Sequence, residues 1–246
     1  VMLNISYSFE SLKKIFEDIK PSKITLVSSD YLISKFSWAI TELKKLTTSE
    51  IKIIQIPDGE AAKEWDVLKK LLNDFIKIGL DRKSIIIALG GGSVSDLVGF
   101  ASSLYQRGID YINIPTTLLA QVDSAIGGKT AINFLGYKNQ IGSFYNPIAI
   151  IIDSRFLKTL NEEQIIDGFA EIIKAGFIKD PTILEIIKSR NLAELREKSV
   201  IEELISKSIK VKEYFVEKDP KDRNIRQILN FGHTFAHALE LKYGIS

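Results

Sequence analysis

The sequence contains no cysteine and only two histidines among its 246 residues. The absence of cysteine excludes disulfides, thiolate nucleophiles, cysteine-based zinc sites and iron–sulfur clusters. Two histidines are too few for a three-histidine metal centre, so a catalytic metal would need a carboxylate or a ligand from outside these residues. The chemistry of the chain must therefore be carried mainly by carboxylates, amines, amides, hydroxyls and the backbone.

An excess of one charge and long apolar runs are also missing. Lys and Arg total 33 and Asp and Glu total 31, a net charge of +2, which gives no electrostatic footprint for nucleic acid or an anionic membrane. No apolar run reaches the roughly 18 residues of a membrane span, and the first residues lack the pattern of a signal peptide. The sequence therefore predicts a soluble cytoplasmic protein that binds neither nucleic acid nor membrane.

The first part of the chain alternates short apolar runs with amphipathic stretches, which is typical of βαβ units around a parallel sheet. Strands are predicted over Lys23–Ser28, Ile51–Ile56, Ser84–Leu89, Asp110–Ile114 and Ile148–Ile152. Helices are predicted between them over Leu32–Leu46, Ala61–Ile78 and Ser93–Tyr105. The stretch from Gly127 to Pro147 is rich in Gly and Asn and is predicted to form loops and short irregular strands.

From about Leu160 the pattern becomes helical to the end. Helices are predicted over Asn161–Phe177, Pro181–Lys188, Ile201–Glu217 and Asn224–Tyr243, with a polar loop over Glu217–Arg223. The composition changes near Asp153. The sequence therefore predicts an α/β domain over residues 1–153, with a Rossmann-like parallel sheet, and an all-α domain over residues 154–246.

A run of three glycines, Gly90 to Gly92, follows a predicted strand and opens a predicted helix. Glycine lets the backbone approach a phosphate closely, and the N–H groups at a helix start favour an anion. A tight strand-to-helix turn would also use glycine, although three in a row exceed what a turn needs. The run lies late in the chain, which weakens an ordinary Rossmann interpretation. The pattern nevertheless indicates a dinucleotide type of site.

Two further segments lie at the carboxyl ends of predicted strands, the edge where open α/β sheets bind ligands. Asp58 and Glu60 follow one strand, and ordinary helix capping also explains them. Thr116 and Thr117 follow another strand, and a threonine cap explains one of them but not both. These segments are candidates for the same ligand as the glycine run.

The helical part holds the candidate metal ligands. His233 and His237 are spaced for one helical turn, so both could bind one metal, one could bind while the other moves protons, or both could be structural. Glu171 and Lys174 share a helix face and are either a surface ion pair or part of a site. Glu171 would complete a histidine and carboxylate set for an ion such as Zn²⁺. The other basic residues of this part, Lys212 and Arg226, are predicted to lie mostly on a solvated face.

Five segments between about Asp58 and Glu240 together resemble the 3-dehydroquinate synthase family: ALGGGSVSDLVGF, YQRGIDYINIPTTLLAQVDSAIGGKTAIN, GYKNQIGSFYNP, DGFAEIIK and LNFGHTFAHALE. The resemblance implies an NAD-binding α/β domain followed by an α-helical metal domain, with NAD and Zn²⁺ or Co²⁺ as cofactors. It implies a lyase that converts 3-deoxy-D-arabino-heptulosonate 7-phosphate into 3-dehydroquinate and phosphate. The steps would be transient oxidation by NAD⁺, phosphate elimination, reduction and intramolecular aldol closure.

The resemblance also assigns roles residue by residue. It implies that the cofactor is bound by Asp58, Glu60, Lys63, Gly91, Gly92, Ser93, Asp96, Thr116, Thr117, Leu119, Asp123, Ser124, Lys129, Lys138, Phe156 and Thr159. It implies that substrate binding and catalysis use Lys129, Asn139, Lys174, Lys212, Arg226, Asn230, His237, Arg107 and Asp123. Arg107 would reach the substrate phosphate in a neighbouring subunit, which implies a homodimer. Glu171 and His233 would bind the metal, whereas His237 would lie beside the substrate.

The sequence departs from the family pattern in two ways. Ser93 and Ser95 stand where the family usually has a branched apolar residue and a glycine, and the GGGS form also occurs in iron-type alcohol and glycerol dehydrogenases. The family's third metal ligand, a histidine, would fall after Ser246. The sequence therefore leaves open a metal-dependent polyol dehydrogenase, a related sugar-phosphate cyclase, or a truncated, catalytically incomplete chain that keeps affinity for NAD⁺.

Overall fold

The computed structural model describes residues 4–232 of the chain. Contacts divide the chain into two compact units, one ending at Gly168 and the other beginning at Phe169. In the described residues, no helix is both long and apolar enough to span a membrane. The domain boundary at Asp153 stays a prediction.

The first unit is built on a parallel six-stranded sheet with the strand order β1-β8-β5-β4-β2-β3. These strands are β1 (Ile5–Ser6), β2 (Ile24–Ser29), β3 (Ile51–Ile56), β4 (Ile85–Gly90), β5 (Tyr111–Pro115) and β8 (Ala149–Ile151). Every residue of β2, β4 and β5 is buried, as expected of strands that are covered on both faces. The predicted α/β class with a parallel sheet is confirmed.

Helices bury the two faces of this sheet. They are α1 (Glu10–Ile19), α2 (Asp30–Lys35), α3 (Ser37–Lys45), α4 (Trp65–Ile78) and α5 (Gly92–Leu104). Ile85 and Ile87 of β4 belong to the same apolar cluster as Leu12 of α1. Their neighbour Ile86 belongs to a second cluster with Leu97 of α5. Because successive strand residues point to opposite faces, the two clusters are the two sides of the sheet.

Two predicted helices are shorter than the sequence pattern indicates. The predicted helix Leu32–Leu46 is broken at Phe36, where the backbone leaves helical geometry and the ring packs edge-on against Phe156 at 4.8 Å between centroids. The helix predicted from Ala61 begins at Trp65, because Gly59–Lys63 forms a separate 3-10 turn. In both places, burial of specific side chains overrides the helical spacing.

The stretch that was predicted as loops and short irregular strands forms an antiparallel hairpin with a register shift between Ile132 and Phe134. The irregular strands are confirmed, but their pairing into one hairpin was not predicted. Strands β6 (Lys129–Phe134) and β7 (Tyr137–Phe144) pair antiparallel. Leu135 and Gly136 connect them, with φ of 51° and 83°. Two central residues with positive φ define the type I′ turn, which matches the twist of a hairpin. The pattern was hard to recognise because β7 is mostly exposed and carries little apolar alternation.

We expect replacement of Leu135 by Asn to raise the free energy of unfolding by up to about 1 kcal/mol. Leu135 is 81% exposed, so little packing is lost, while Asn tolerates the left-handed backbone better than Leu does. Urea unfolding of both proteins measures the difference. A decrease in stability would contradict the assigned turn geometry.

The described part of the second unit is helical, as predicted. Its elements are α6 (Glu162–Ile178, which begins in the first unit), α7 (Thr182–Lys188), α8 (Leu192–Leu195), α9 (Lys198–Lys218) and a 3-10 helix, Ile225–Asn230. The continuous helix predicted from Asn224 is wrong, because the chain turns at Phe231 and Gly232, where Gly232 has a φ of 87°. His233 and His237 lie outside the described residues.

Candidate functional site

The glycine run and the two threonines lie side by side at the carboxyl edge of the sheet. Gly90 of β4 pairs with Pro115 of β5, and the N–H of Thr116 donates to the carbonyl of Gly90 at 2.9 Å. This edge is where open α/β sheets bind ligands. The structure therefore brings together two motifs that the sequence could only place on separate strands.

Two glycines keep the start of α5 open. A Cβ on Gly92 would lie 2.8 Å from the Ser124 hydroxyl oxygen, and one on Gly91 would lie 3.2 Å from the Thr117 methyl. The hydroxyl oxygen of Ser124 is buried and has no hydrogen-bond partner within residues 4–232. The first N–H groups of a helix also lack partners within that helix. The arrangement fits a phosphate group, for which close approach and unused donors are the main requirements.

A π-helical turn, Ala120–Ser124, carries the predicted cofactor residues Asp123 and Ser124. The Thr117 hydroxyl accepts from the N–H of Ala120, the first residue of this turn, at 3.1 Å. Gln121 was not recognised from the sequence. Its side-chain amide donates to the carbonyls of Pro115 at 3.1 Å and Asp153 at 2.9 Å, so it ties together the ends of β5 and β8.

The predicted cofactor residues Lys63 and Asp96 form a polar cluster with Asn139. The Lys63 ammonium, on a residue that is only 4% exposed, lies 2.6 Å from a carboxylate oxygen of Asp96 and donates to the side-chain oxygen of Asn139. Asp58 does not cap the following turn with its side chain; it accepts from the Ser29 hydroxyl at 2.8 Å. Three segments of the first unit therefore meet around Lys63.

Both carboxylate oxygens of Glu60 are engaged by neighbouring side chains. One accepts from the Ser93 hydroxyl at 3.2 Å, and the other accepts from the amide of Asn133 at 2.7 Å. Ser95 donates back to the carbonyls of Gly91 and Gly92. Both serines that depart from the family pattern are thus accommodated by local hydrogen bonds.

The remaining predicted cofactor residues differ in how far their side chains are exposed. The ring of Phe156 is fully buried and packs against Trp38 at 5.0 Å between centroids, so any ligand contact there would come from its backbone. Thr159 is exposed, and its carbonyl accepts from Lys35 at 3.0 Å. Lys129 and Lys138 are exposed on the hairpin. Leu119 and Asp123 are half-buried.

Arg107, the residue predicted to reach a neighbouring subunit, is exposed in the 3-10 turn Tyr105–Arg107. Its φ is 68°, an uncommon backbone conformation for a residue with a side chain. Its role between subunits stays a prediction.

The cationic candidates of the second unit are buried rather than solvated. Lys174 contacts Glu171, and the two side chains are 9% and 15% exposed, so this is not a surface ion pair. Lys212 is 8% exposed and Arg226 is 2% exposed, so the predicted solvated face was wrong. The Arg226 guanidinium donates to the Pro220 carbonyl at 2.9 Å.

Asp219 holds the loop that carries Arg226, a role that the sequence did not reveal. Its carboxylate accepts from the backbone N–H groups of Arg223 at 3.0 Å, Asn224 at 2.6 Å and Arg226 at 3.2 Å. Desolvation alone would raise the pKa of Asp219, but these three donors and the positive charge of Arg226 together lower it below its ordinary value. Asn230, farther along the same loop region, is exposed.

A metal centre is not formed by the described residues alone. Residues 4–232 contain no group of three potential metal ligands. Glu171 is a predicted ligand within this range, whereas His233 lies outside it.

Family models match most of the chain. The model described as 3-dehydroquinate synthase N-terminal matches residues 53–167, and the one described as 3-dehydroquinate synthase C-terminal matches residues 168–246. A 3-dehydroquinate synthase from Helicobacter pylori (strain G27) is 46% identical over 225 residues, covering 91% of this chain and 63% of the relative. The chain thus spans less than two thirds of the length of that relative.

Solved structures agree with the fold. A 2-deoxy-scyllo-inosose synthase complexed with carbaglucose-6-phosphate, NAD⁺ and Co²⁺ has a TM-score of 0.87 at 26% identity, covering 99% of this chain and 69% of that one. An iron-containing alcohol dehydrogenase has a TM-score of 0.66 at 17% identity, covering 85% of this chain and 65% of that one. The second similarity shows the fold alone.

Proposed function

The chain belongs to the 3-dehydroquinate synthase family, and we propose that it acts in the reaction of that family, the conversion of 3-deoxy-D-arabino-heptulosonate 7-phosphate into 3-dehydroquinate and phosphate. The observation that carries the proposal is the glycine-lined edge of the sheet, where an unpartnered Ser124 hydroxyl faces the start of α5. The nearby cluster of Lys63, Asp96 and Asn139 adds the polar groups that a ribose would need.

We propose NAD⁺ as the cofactor of this edge. NAD⁺, when bound, accepts a hydride and later returns it, so the reaction needs no external oxidant. Gly91 and Gly92 leave room for the pyrophosphate at the start of α5, and Glu60 with Asp96 offers carboxylate oxygens to the adenosine ribose. The nicotinamide half is assigned to Thr116, Thr117, Leu119, Asp123 and Ser124. Further contacts are assigned to Asp58, Ser93, Lys129, Lys138, Phe156 and Thr159.

The substrate is proposed to be an anionic sugar phosphate because each unit, taken by itself, carries cationic candidate side chains. The first unit contributes Lys129 together with the amide of Asn139. The second contributes Lys174, Lys212 and Arg226, all less than a tenth exposed, and a buried cation binds a carboxylate or phosphate more strongly than an exposed one. This much positive charge exceeds what a neutral polyol requires, which favours the synthase over a polyol dehydrogenase. Asn230, His237 and Arg107 of a second subunit complete the proposed substrate contacts.

A divalent metal, Zn²⁺ or Co²⁺, is proposed to be bound by Glu171 and His233. The carboxylate of Glu171 is a suitable ligand for either ion. Its contact with Lys174 orients both side chains along one face of α6, with the lysine available to balance the charge of a bound anion.

The reaction can be tested on a protein of the relatives' length. The chain would be joined to the C-terminal remainder of the Helicobacter pylori relative and incubated with the heptulosonate phosphate, NAD⁺ and Zn²⁺. We expect release of phosphate together with 3-dehydroquinate and no net accumulation of NADH. Accumulation of NADH with glycerol, and no phosphate release from the heptulosonate phosphate, would overturn the proposal in favour of a polyol dehydrogenase.

A further inference from the structure

The side chain of Asn133 connects two parts of the proposed site. Its amide nitrogen donates to one carboxylate oxygen of Glu60 at 2.7 Å, and its amide oxygen accepts from the backbone N–H of Asn139 at 3.1 Å. Asn133 is 8% exposed, so these bonds have little competition from water. One buried residue therefore links the cofactor side of the site to a proposed substrate contact.

The two hydrogen bonds fix the orientation of the Asn133 amide. A carboxylate oxygen can only accept and a backbone N–H can only donate, so the amide nitrogen must face Glu60 and the oxygen must face Asn139. No other side chain of this length offers a donor and an acceptor in the same plane. Asp keeps the acceptor but loses the donor, and Leu loses both.

Asn139 is held by a second bond that leads back to the same part of the site. Its side-chain oxygen accepts from Lys63, which also contacts Asp96 at 2.6 Å. The backbone of Asn139 has a φ of 57°, a left-handed conformation that asparagine adopts more readily than most residues. The backbone of Asn139 is thus held by Asn133, and its side chain is held by Lys63.

We propose that Asn133 is a positioning residue that couples the adenosine side of the cofactor site to Asn139. The proposal rests on the proposed function, since it assumes that Glu60 and Asp96 bind the ribose. A ligand that engages these carboxylates stabilises the bonds from Asn133 and Lys63, and those bonds hold the substrate-contacting residue in place. Because such coupling acts equally in both directions, a well-ordered Asn139 in turn raises the affinity for the cofactor.

Amide hydrogen exchange at Asn139 tests this coupling directly, because that N–H is bonded to Asn133. We expect saturating NAD⁺ to slow its exchange in the unmodified chain, and ADP-ribose to do the same because it carries the adenosine half. In Asn133→Asp, where a carboxylate replaces the donor facing Glu60, we expect the Kd for NAD⁺ to rise about five-fold and the slowing at saturation to disappear. Gln140→Ala, in the same hairpin at an exposed position, is the matched control and should behave like the unmodified chain.

A second variant protects the test against a simple loss of folding. In the double variant Asn133→Asp with Glu60→Gln, the donor and acceptor are exchanged, because the new glutamine amide can donate to the new carboxylate. We expect saturating NAD⁺ to slow exchange at Asn139 again, which restored folding alone would not produce. If NAD⁺ binds the unmodified chain and slows exchange at Asn139 as much in Asn133→Asp as in the unmodified chain, the coupling is overturned and the cofactor assignment stands. If NAD⁺ does not bind the unmodified chain, both are overturned.

Discussion

Replacement of Lys63 by methionine is expected to lower the free energy of unfolding by about 3 kcal/mol, the usual loss when one partner of a buried ion pair is removed. The lysine side chain is 5% exposed and that of Asp96 is 18% exposed. Methionine keeps the apolar stem of Lys63, so the loss reports the ammonium and its bonds to Asp96 and Asn139 rather than a cavity. Urea unfolding in the absence of ligand measures the effect.

An exposed lysine on the adjacent helix α4 provides the matched control. Lys77 lies 4.0 Å from Asp74, and its side chain is 69% exposed. We expect Lys77→Met to change the free energy of unfolding by no more than about 0.5 kcal/mol, because water screens such pairs. Equal effects at Lys63 and Lys77 would show that the ion pair with Asp96 does not hold the 3-10 turn against α5 and the hairpin.

Replacing two glycines of α5 by alanine, one at a time, is expected to change different properties. One variant should lose affinity for NAD⁺, and the other should lose stability. In Gly92→Ala we expect the affinity for NAD⁺ to fall at least about 30-fold, near 2 kcal/mol, because the methyl group occupies the approach to the helix start and two charge-assisted hydrogen bonds weaken. The new Cβ would lie 2.8 Å from the Ser124 hydroxyl oxygen and 3.3 Å from the Ser124 Cβ. Rotation of the serine side chain moves the oxygen away and leaves one tight contact, so stability should change by less than about 1 kcal/mol.

In Gly99→Ala we expect the opposite result: the free energy of unfolding falls, while the affinity for NAD⁺ is kept. Its Cβ would lie 2.4 Å from the Thr130 methyl and 2.9 Å from the Tyr111 hydroxyl, and both of these residues are buried. Overpacking of this kind costs about 2 kcal/mol of stability, while the glycine run at the start of the helix is untouched. Equilibrium dialysis with NAD⁺ and urea unfolding of both variants make the comparison. Equal loss of affinity in the two folded variants would contradict a binding site at Gly92.

The parts of the fold that the sequence predicts well are those with local signals. β4 is a continuous apolar run, and its burial follows directly from that pattern. β2 and β5 are mainly apolar but also bury Thr25, Ser28, Ser29 and Asn113, which an apolar pattern alone does not predict. The glycine run and the threonines were recognised because motifs at strand ends carry a physical meaning. The break at Phe36 was missed because the ring packs against the distant Phe156, which local spacing does not reveal. The later start of α4, after Glu64, was missed because the preceding 3-10 turn, with Ala62 and Lys63 buried, has the same spacing of apolar residues as a helix.

Contacts between distant residues account for the site features that the sequence could not reveal. Asn133 meets Glu60 across 73 positions of the chain, and nothing in either segment signals the other. Arg226 is buried because Asp219 folds the loop around it through three backbone N–H groups. A charged residue in a polar run is ordinarily solvated, so only the folded arrangement shows that this cation is held inside the second unit.

Calorimetric titration of the unmodified chain with NAD⁺ tests most directly whether the glycine-lined edge of the first unit binds this cofactor. We expect saturable binding at one site per chain, with a matching rise in the free energy of unfolding as NAD⁺ is added. The absence of saturable binding, with the chain folded, would contradict the account.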